Sequence, residues 1–201
     1  MSRLNILSDE EQNEFDYPPA LSPDAKALCF SINKELAAKI NHLRTPTNKV
    51  GFLIQYGYFK ACKRFFVVNR FRQEDIEYAA RLLGISLRKI DFPQYKKKIP
   101  IDHQHAILKL LDFRSFDENV ELWIEKELKR RVEHFIDPRE VFFEILHLLH
   151  LQHIEIPSYH RLAESITRYY IDHEEKLLKI IDKQITAFDC EKLDLFLNSE
   201  K

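Results

Sequence analysis

The stretch Thr45-Pro46-Thr47-Asn48-Lys49-Val50-Gly51-Phe52-Leu53-Ile54-Gln55-Tyr56-Gly57-Tyr58-Phe59-Lys60 decides the fold. Val50, Leu53, Ile54, Gly57 and Tyr58 fall at i, i+3, i+4, i+7 and i+8, the spacing of one helix face. Pro46 breaks whatever precedes, and Thr47 is expected to cap a helix over about 48–60. The stripe turns Lys49, Gln55, Tyr56, Lys60 and Lys63 elsewhere, which predicts a basic, exposed helix face. Upstream, Ser31 is a candidate cap for a helix through Arg44, with Ile32, Leu36, Ile40 and Leu43 on one stripe. Downstream, a helix over 73–83 carries Ile76, Ala79, Ala80 and Leu83 inward and stops at Gly84, which suits the position just past a helix end.

The same periodicity continues to the end of the chain, and strand-like alternation is scarce. Phe92-Pro93 and the basic run Lys96-Lys97-Lys98 before Pro100 read as a linker. Further helices are expected over about 102–111, 117–135, 138–151 and 159–185, the last capped by Ser158. The fold class that follows is all-α: two small modules of helix-turn-helix type, residues 1–92 with an N-terminal lead and 93–201 ending in a long helix.

Composition narrows the chemistry. Three glycines, Gly51, Gly57 and Gly84, form neither of the clustered patterns that let backbone approach a nucleotide's phosphates. Three widely spaced cysteines, Cys29, Cys62 and Cys190, make neither a disulfide framework nor a zinc finger. No apolar run reaches membrane-spanning length and no secretory leader opens the chain, so a cytosolic location is expected. His147, His150 and His153 recur every third residue, but that spacing drifts around a helix and no further ligand completes a tetrahedral set. The carboxylates fit helix N-terminal charges and solvated faces, and no nucleophile motif appears, so no catalytic site, metal or cofactor is expected in this chain.

The net charge of −1 hides a segregation: residues 1–30 carry −4, residues 31–100 carry +10 and residues 101–201 carry −7. A basic block of that size is an electrostatic footprint for a polyanion. Lys49, Lys60, Lys63 and Arg64 are candidate phosphate contacts, as are Lys96, Lys97 and Lys98. Arg70, Arg72 and Gln73, at the start of a helix, are candidates for reading base edges, because arginine and glutamine can bond guanine and adenine bidentately. In the second module Ser158, Tyr159, His160, Arg161, Thr167 and Arg168 lie opposite the apolar stripe of the long helix.

Taken in order, Ile6-Leu7-Ser8-Asp9-Glu10-Glu11, the run 47–58, Ile76 to Ile85 with its Leu83-Gly84-Ile85 ending, Phe113-Arg114-Ser115-Phe116 and Ile156-Pro157 with Leu162 resemble the N-terminal region of the replicative class II transposases, the Tn-three family. Asn48, Gly51, Phe52, Gln55 and Tyr58 match that family's pattern, and Lys49 stands where arginine is usual. The resemblance covers nearly the whole chain. It implies a region that binds double-stranded DNA at the terminal inverted repeats of a transposon, with Asn48 and Gln55 added to the candidate DNA contacts. It also implies that the divalent-metal Asp-Asp-Glu catalytic domain lies farther C-terminal, so that this piece binds without cutting. Two other readings stay open: a helical interaction module that self-associates through the stripe from Leu162 to Ile185, and a stand-alone helix-turn-helix regulator.

Overall fold

The computed structural model describes residues 4–95, 98–132 and 137–184. Among them the structure is all-α, as expected, and the extended pairing is one isolated parallel bridge between Arg114 and Ile154. The helices are α1 (Asp9–Asp16), α2 (Pro23–Cys29), α3 (Lys34–His42), α4 (Pro46–Cys62), α5 (Gln73–Leu82), α6 (Lys98–Leu110), α7 (Glu118–Val132), α8 (Pro138–Leu151) and α9 (Tyr159–Gln184).

Sequence reading starts its helices at Ser31, yet two lie before it, and both carry a local signal. Ser8 and Glu11 form a reciprocal capping box that opens α1. Ser22 caps α2, with Pro23 at the first helical position. Asn33 rather than Ser31 caps α3, and Thr45 rather than Thr47 caps α4; in each case the side chain accepts the N–H three residues on. The end of α5 is as expected: Gly84 has φ +63°, a left-handed conformation that a side chain disfavours.

The hydrophobic residues form two clusters. In the first, α4 is the axis, packed by α2, α3, α5 and α6. Every residue from Val50 to Phe59 is buried, so α4 has no basic exposed face along its length. A helix apolar nearly all round belongs at a centre, and the polar residues within the run are consumed there. The second cluster joins α7, α8 and α9 with the N-terminal lead, through Ile6, Leu7 and the partly buried Phe15. The clusters therefore part between Phe113 and Phe116 rather than at Phe92-Pro93, with α6 on the first and the lead on the second.

The candidate nucleic-acid interface

The N–H of Arg72, which precedes α5, donates to the Tyr58 hydroxyl at 3.1 Å, and that hydroxyl donates to Asp75 Oδ2 at 2.9 Å. Asp75 is wholly buried on α5, and Lys26 Nζ stands 2.7 Å from its other oxygen. Burial pushes the Tyr58 phenol well above its ordinary range, so it keeps its proton for Asp75. The start of α5, with Arg72 half-buried and Gln73 exposed, is thereby fixed on α4 from below. Gln73 bonds Glu77 at 2.9 Å on the same exposed face.

A second hub joins the two clusters. The Asp16 carboxylate accepts from Arg64 Nη2 at 2.9 Å and from the Tyr159 N–H at 3.2 Å, while its carbonyl accepts from Arg70 Nη1 at 2.7 Å. Arg64 also donates to the Phe15 carbonyl and lies over the Phe15 ring, 3.7 Å from its centroid. The Ile156 N–H donates to the Lys63 carbonyl at 2.8 Å. The C-terminal end of α4, the approach to α5 and the first turn of α9 therefore meet at one seam. Lys63 adopts a left-handed conformation there, φ 58°, and its ammonium donates to the Lys60 carbonyl. Lys60 in turn donates to the Leu28 carbonyl and to Ser31.

Four sequence candidates are corrected by burial. Gln55 is 1% exposed and donates to the Tyr95 hydroxyl at 2.8 Å. Arg64 is 5% exposed and committed to Asp16 and Phe15. Tyr159, at 4%, sits in the second cluster against Phe15 and Phe142. Thr167 is buried as well. Gln55, Tyr159 and Thr167 lie on helix faces wider than the stripes that sequence spacing shows, and Arg64, past the end of α4, is drawn inward by Asp16 and Phe15. Ser158, His160, Arg161 and Arg168 are exposed. Ser158 caps α9, receiving the Arg161 N–H, and the Arg161 guanidinium bonds Glu121 at 2.6 Å and covers the Phe116 ring. Lys96 and Lys97 lie outside the described residues. Lys98 is exposed at the start of α6.

The remaining candidates, Asn48 and Lys49, sit at the other end of α4 from Lys63, roughly 22 Å away along the helix. Here Lys49 and Lys98, both sequence candidates, are joined by cations that sequence reading did not single out. A cleft of about 410 Å³ is lined by Lys39, His42, Asn48, Phe52, Ile99 and Asp102, among others. Arg44 lies in the α3–α4 turn, and Lys98 precedes Ile99. Arg88 and Lys89 come just before Asp91, whose N–H donates to Thr47 Oγ1 at 2.9 Å. Lys39 thus lines the cleft at the first turn of α4, while Arg44, Lys49, Arg88, Lys89 and Lys98 stand on the segments that meet there, together with the acids Asp91 and Asp102. For Lys39, Arg44, Arg88 and Lys89 the only sequence signal was the +10 block, because they come from separate segments.

Below this collar runs a buried relay. Gln55 donates to Tyr95, and the Tyr95 oxygen is 2.6 Å from His103 Nδ1. The phenol thus bridges the Gln55 amide and the imidazole. Burial lowers the His103 pKa to about 4. Gly51 leaves room for the tyrosine, since a Cβ there would come within 2.7 Å of the Tyr95 ring.

Residues 6–169 match one family, described as Domain of unknown function (DUF4158). The chain belongs to the DUF4158 family. The matched span starts at Ile6, the first buried residue of the second cluster, and runs past Thr167, the last buried residue of α9. Both clusters and the Asp16 seam therefore lie within the DUF4158 unit. No curated protein matches the chain. Among the described residues, no group of three or more potential metal ligands occurs and no helix is long and apolar enough to cross a membrane.

Proposed function

We propose that this DUF4158 chain is the DNA-binding region of a Tn-three-type transposase, which grips the duplex at the transposon's inverted-repeat ends. The family is found in the N-terminal region of such transposases. The observation that carries the reading is the collar of Lys39, Arg44, Lys49, Arg88, Lys89 and Lys98 on the segments that meet at the first turn of α4. Its cations form no ion pair among the described residues, so their charge is available to phosphates. The half-buried side-chain amide of Asn48 adds a donor at the same place. Arg72, held at the start of α5, is the candidate for a base edge, and the exposed Ser158, His160, Arg161 and Arg168 of α9 and its cap are secondary contacts. The chain binds without cutting and works in the bacterial cytosol, needing no cofactor of its own.

A mobility shift on an inverted-repeat duplex, repeated across salt concentrations, tests this. Six phosphates neutralised by the collar give a slope of log K against log[salt] near about −5. The double variant Lys49→Gln, Lys98→Gln should reduce that slope by about 2. A nearly flat salt dependence, or a slope the double variant leaves alone, rejects the assignment. One observation favours a second reading, a self-associating helical module: beyond the second cluster, α9 exposes Leu178, Ile180 and Ile181 at 57%, 50% and 45%. Light scattering across protein concentration decides it.

A further inference from the structure

Beside the second cluster, where the 114–117 segment enters α7, lies a cleft of about 360 Å³, lined by Arg114, Ser115, Asp117, Asn119, Val120, Trp123, Gln152 and Ile154. We infer that it takes one unpaired nucleotide of the bound DNA, the base stacked on Trp123 and its phosphate on Arg114; this rests on the DNA-binding reading above. Both walls are fixed. The Arg114 N–H donates to the His153 carbonyl at 2.8 Å, and the Glu155 N–H returns to the Arg114 carbonyl at 2.9 Å. His153 is stacked on Phe113, with ring centroids 4.9 Å apart. Opposite, Asp117 Oδ1 accepts the Val120 N–H at 3.0 Å, which sets the first turn of α7. Asn119, Val120 and Trp123 are spaced by one and three residues, so they share one helix face toward the cleft.

The chemistry of the lining suits a nucleotide better than a purely apolar or purely anionic ligand. The indole is the one large aromatic surface in the cleft, and Trp123 is only partly buried. Arg114 is exposed, and its guanidinium makes one long contact, 3.5 Å to the Gln152 carbonyl, so its other donors remain for a phosphate. The neutral amides of Asn119 and Gln152 and the hydroxyl of Ser115 offer donors and acceptors to a base edge. Asp117 is the one acid, and a carboxylate there accepts from an exocyclic amino group while disfavouring a second phosphate. The volume lies in the range of small-molecule sites. A base in an intact duplex cannot reach such a cleft, so the ligand is single-stranded or at a frayed end.

Trp123 is the only tryptophan in the sequence, which makes intrinsic fluorescence a reporter of this cleft. Titrating the full chain with a single-stranded deoxyoligonucleotide of about eight nucleotides should give saturable quenching. A blunt duplex that saturates the mobility shift should leave the signal unchanged. Arg114→Ala should weaken single-strand binding roughly ten-fold while leaving the urea midpoint and duplex affinity intact. Trp123→Leu, read by anisotropy of a labelled oligonucleotide, should weaken it at least as much. Absence of quenching, equal quenching by inorganic polyphosphate, or an unaltered Arg114→Ala affinity overturns the inference. Duplex binding without quenching sinks the cleft alone, whereas quenching without salt-dependent duplex binding sinks the collar alone.

Discussion

Replacing Asp16 by alanine removes a carboxylate that serves both clusters. The Arg64 side chain is 6% exposed and that of Asp16 27%, so the variant strands a buried guanidinium beside the Phe15 ring. Breaking a buried pair on one side costs about 3–5 kcal/mol; the partial exposure of Asp16 argues for the lower end, about 3 kcal/mol. The Tyr159 N–H at the start of α9 loses its acceptor as well. With a urea slope of about 2–3 kcal/mol/M for a chain this size, the midpoint should fall by about 1 M. Circular dichroism follows the whole chain, and Trp123 fluorescence follows the second cluster. Arg64→Met should cost less, because Asp16 retains the Tyr159 N–H and water, and the double variant should recover part of the Asp16→Ala loss. A loss below about 1 kcal/mol, or strict additivity in the double variant, would refute the view that Arg64 depends on Asp16.

Two further perturbations probe the first cluster. His103 is neutral in the folded chain, its pKa lowered to about 4 by burial, against an ordinary value near 6.5. The unfolded chain therefore binds the extra proton first, and the stability contribution, complete above pH 6.5, is lost as pH falls toward 4, by up to about 3 kcal/mol. Urea midpoints across that window should fall for the native chain and flatten for His103→Gln; parallel curves would reject the assignment. Gly57→Ala would place a Cβ within 2.7 Å of the Phe30 ring, which Tyr58 and Tyr78 hold edge-on. Overpacking of that kind costs about 1–3 kcal/mol, and an unshifted thermal midpoint would show that the ring yields freely.

The helical fold was legible because 3.6-residue periodicity and caps are local, and the helices over 46–62, 73–82, 138–151 and 159–184 fall close to where spacing puts them. What could not be read was which faces the fold covers. The stripe on α4 is a true helix signal, but a stripe says only that one side is apolar, and Gln55 and Tyr56 are buried because α6, α3 and Tyr95 close over the other. The polar residues in that run were a clue of a different kind, since a buried glutamine requires a partner and Tyr95 supplies it from 40 residues away.

Charge shows the same limit more sharply. Segment totals treat every side chain as solvated, yet Arg64 is spent on Asp16, Arg70 on the Asp16 carbonyl, and Lys60 and Lys63 on backbone carbonyls and aromatic rings. Asp75, one of the few acids in the basic block, is spent on Lys26, and Glu11 on Arg139. Subtracting these pairs leaves a field that no longer follows the sequence order: the cations nearest the most helix-like run are largely engaged, while those from the α3–α4 turn, the 87–91 segment and the first turn of α6 are not. They converge because α4, being buried all round, can offer a ligand little besides its N-terminal end, and the segments that enclose it bring their charges to that end. An interface of this form is a property of chain crossings, so the +10 total announces that it exists and the packing of α3, α4 and α6 determines where it lies.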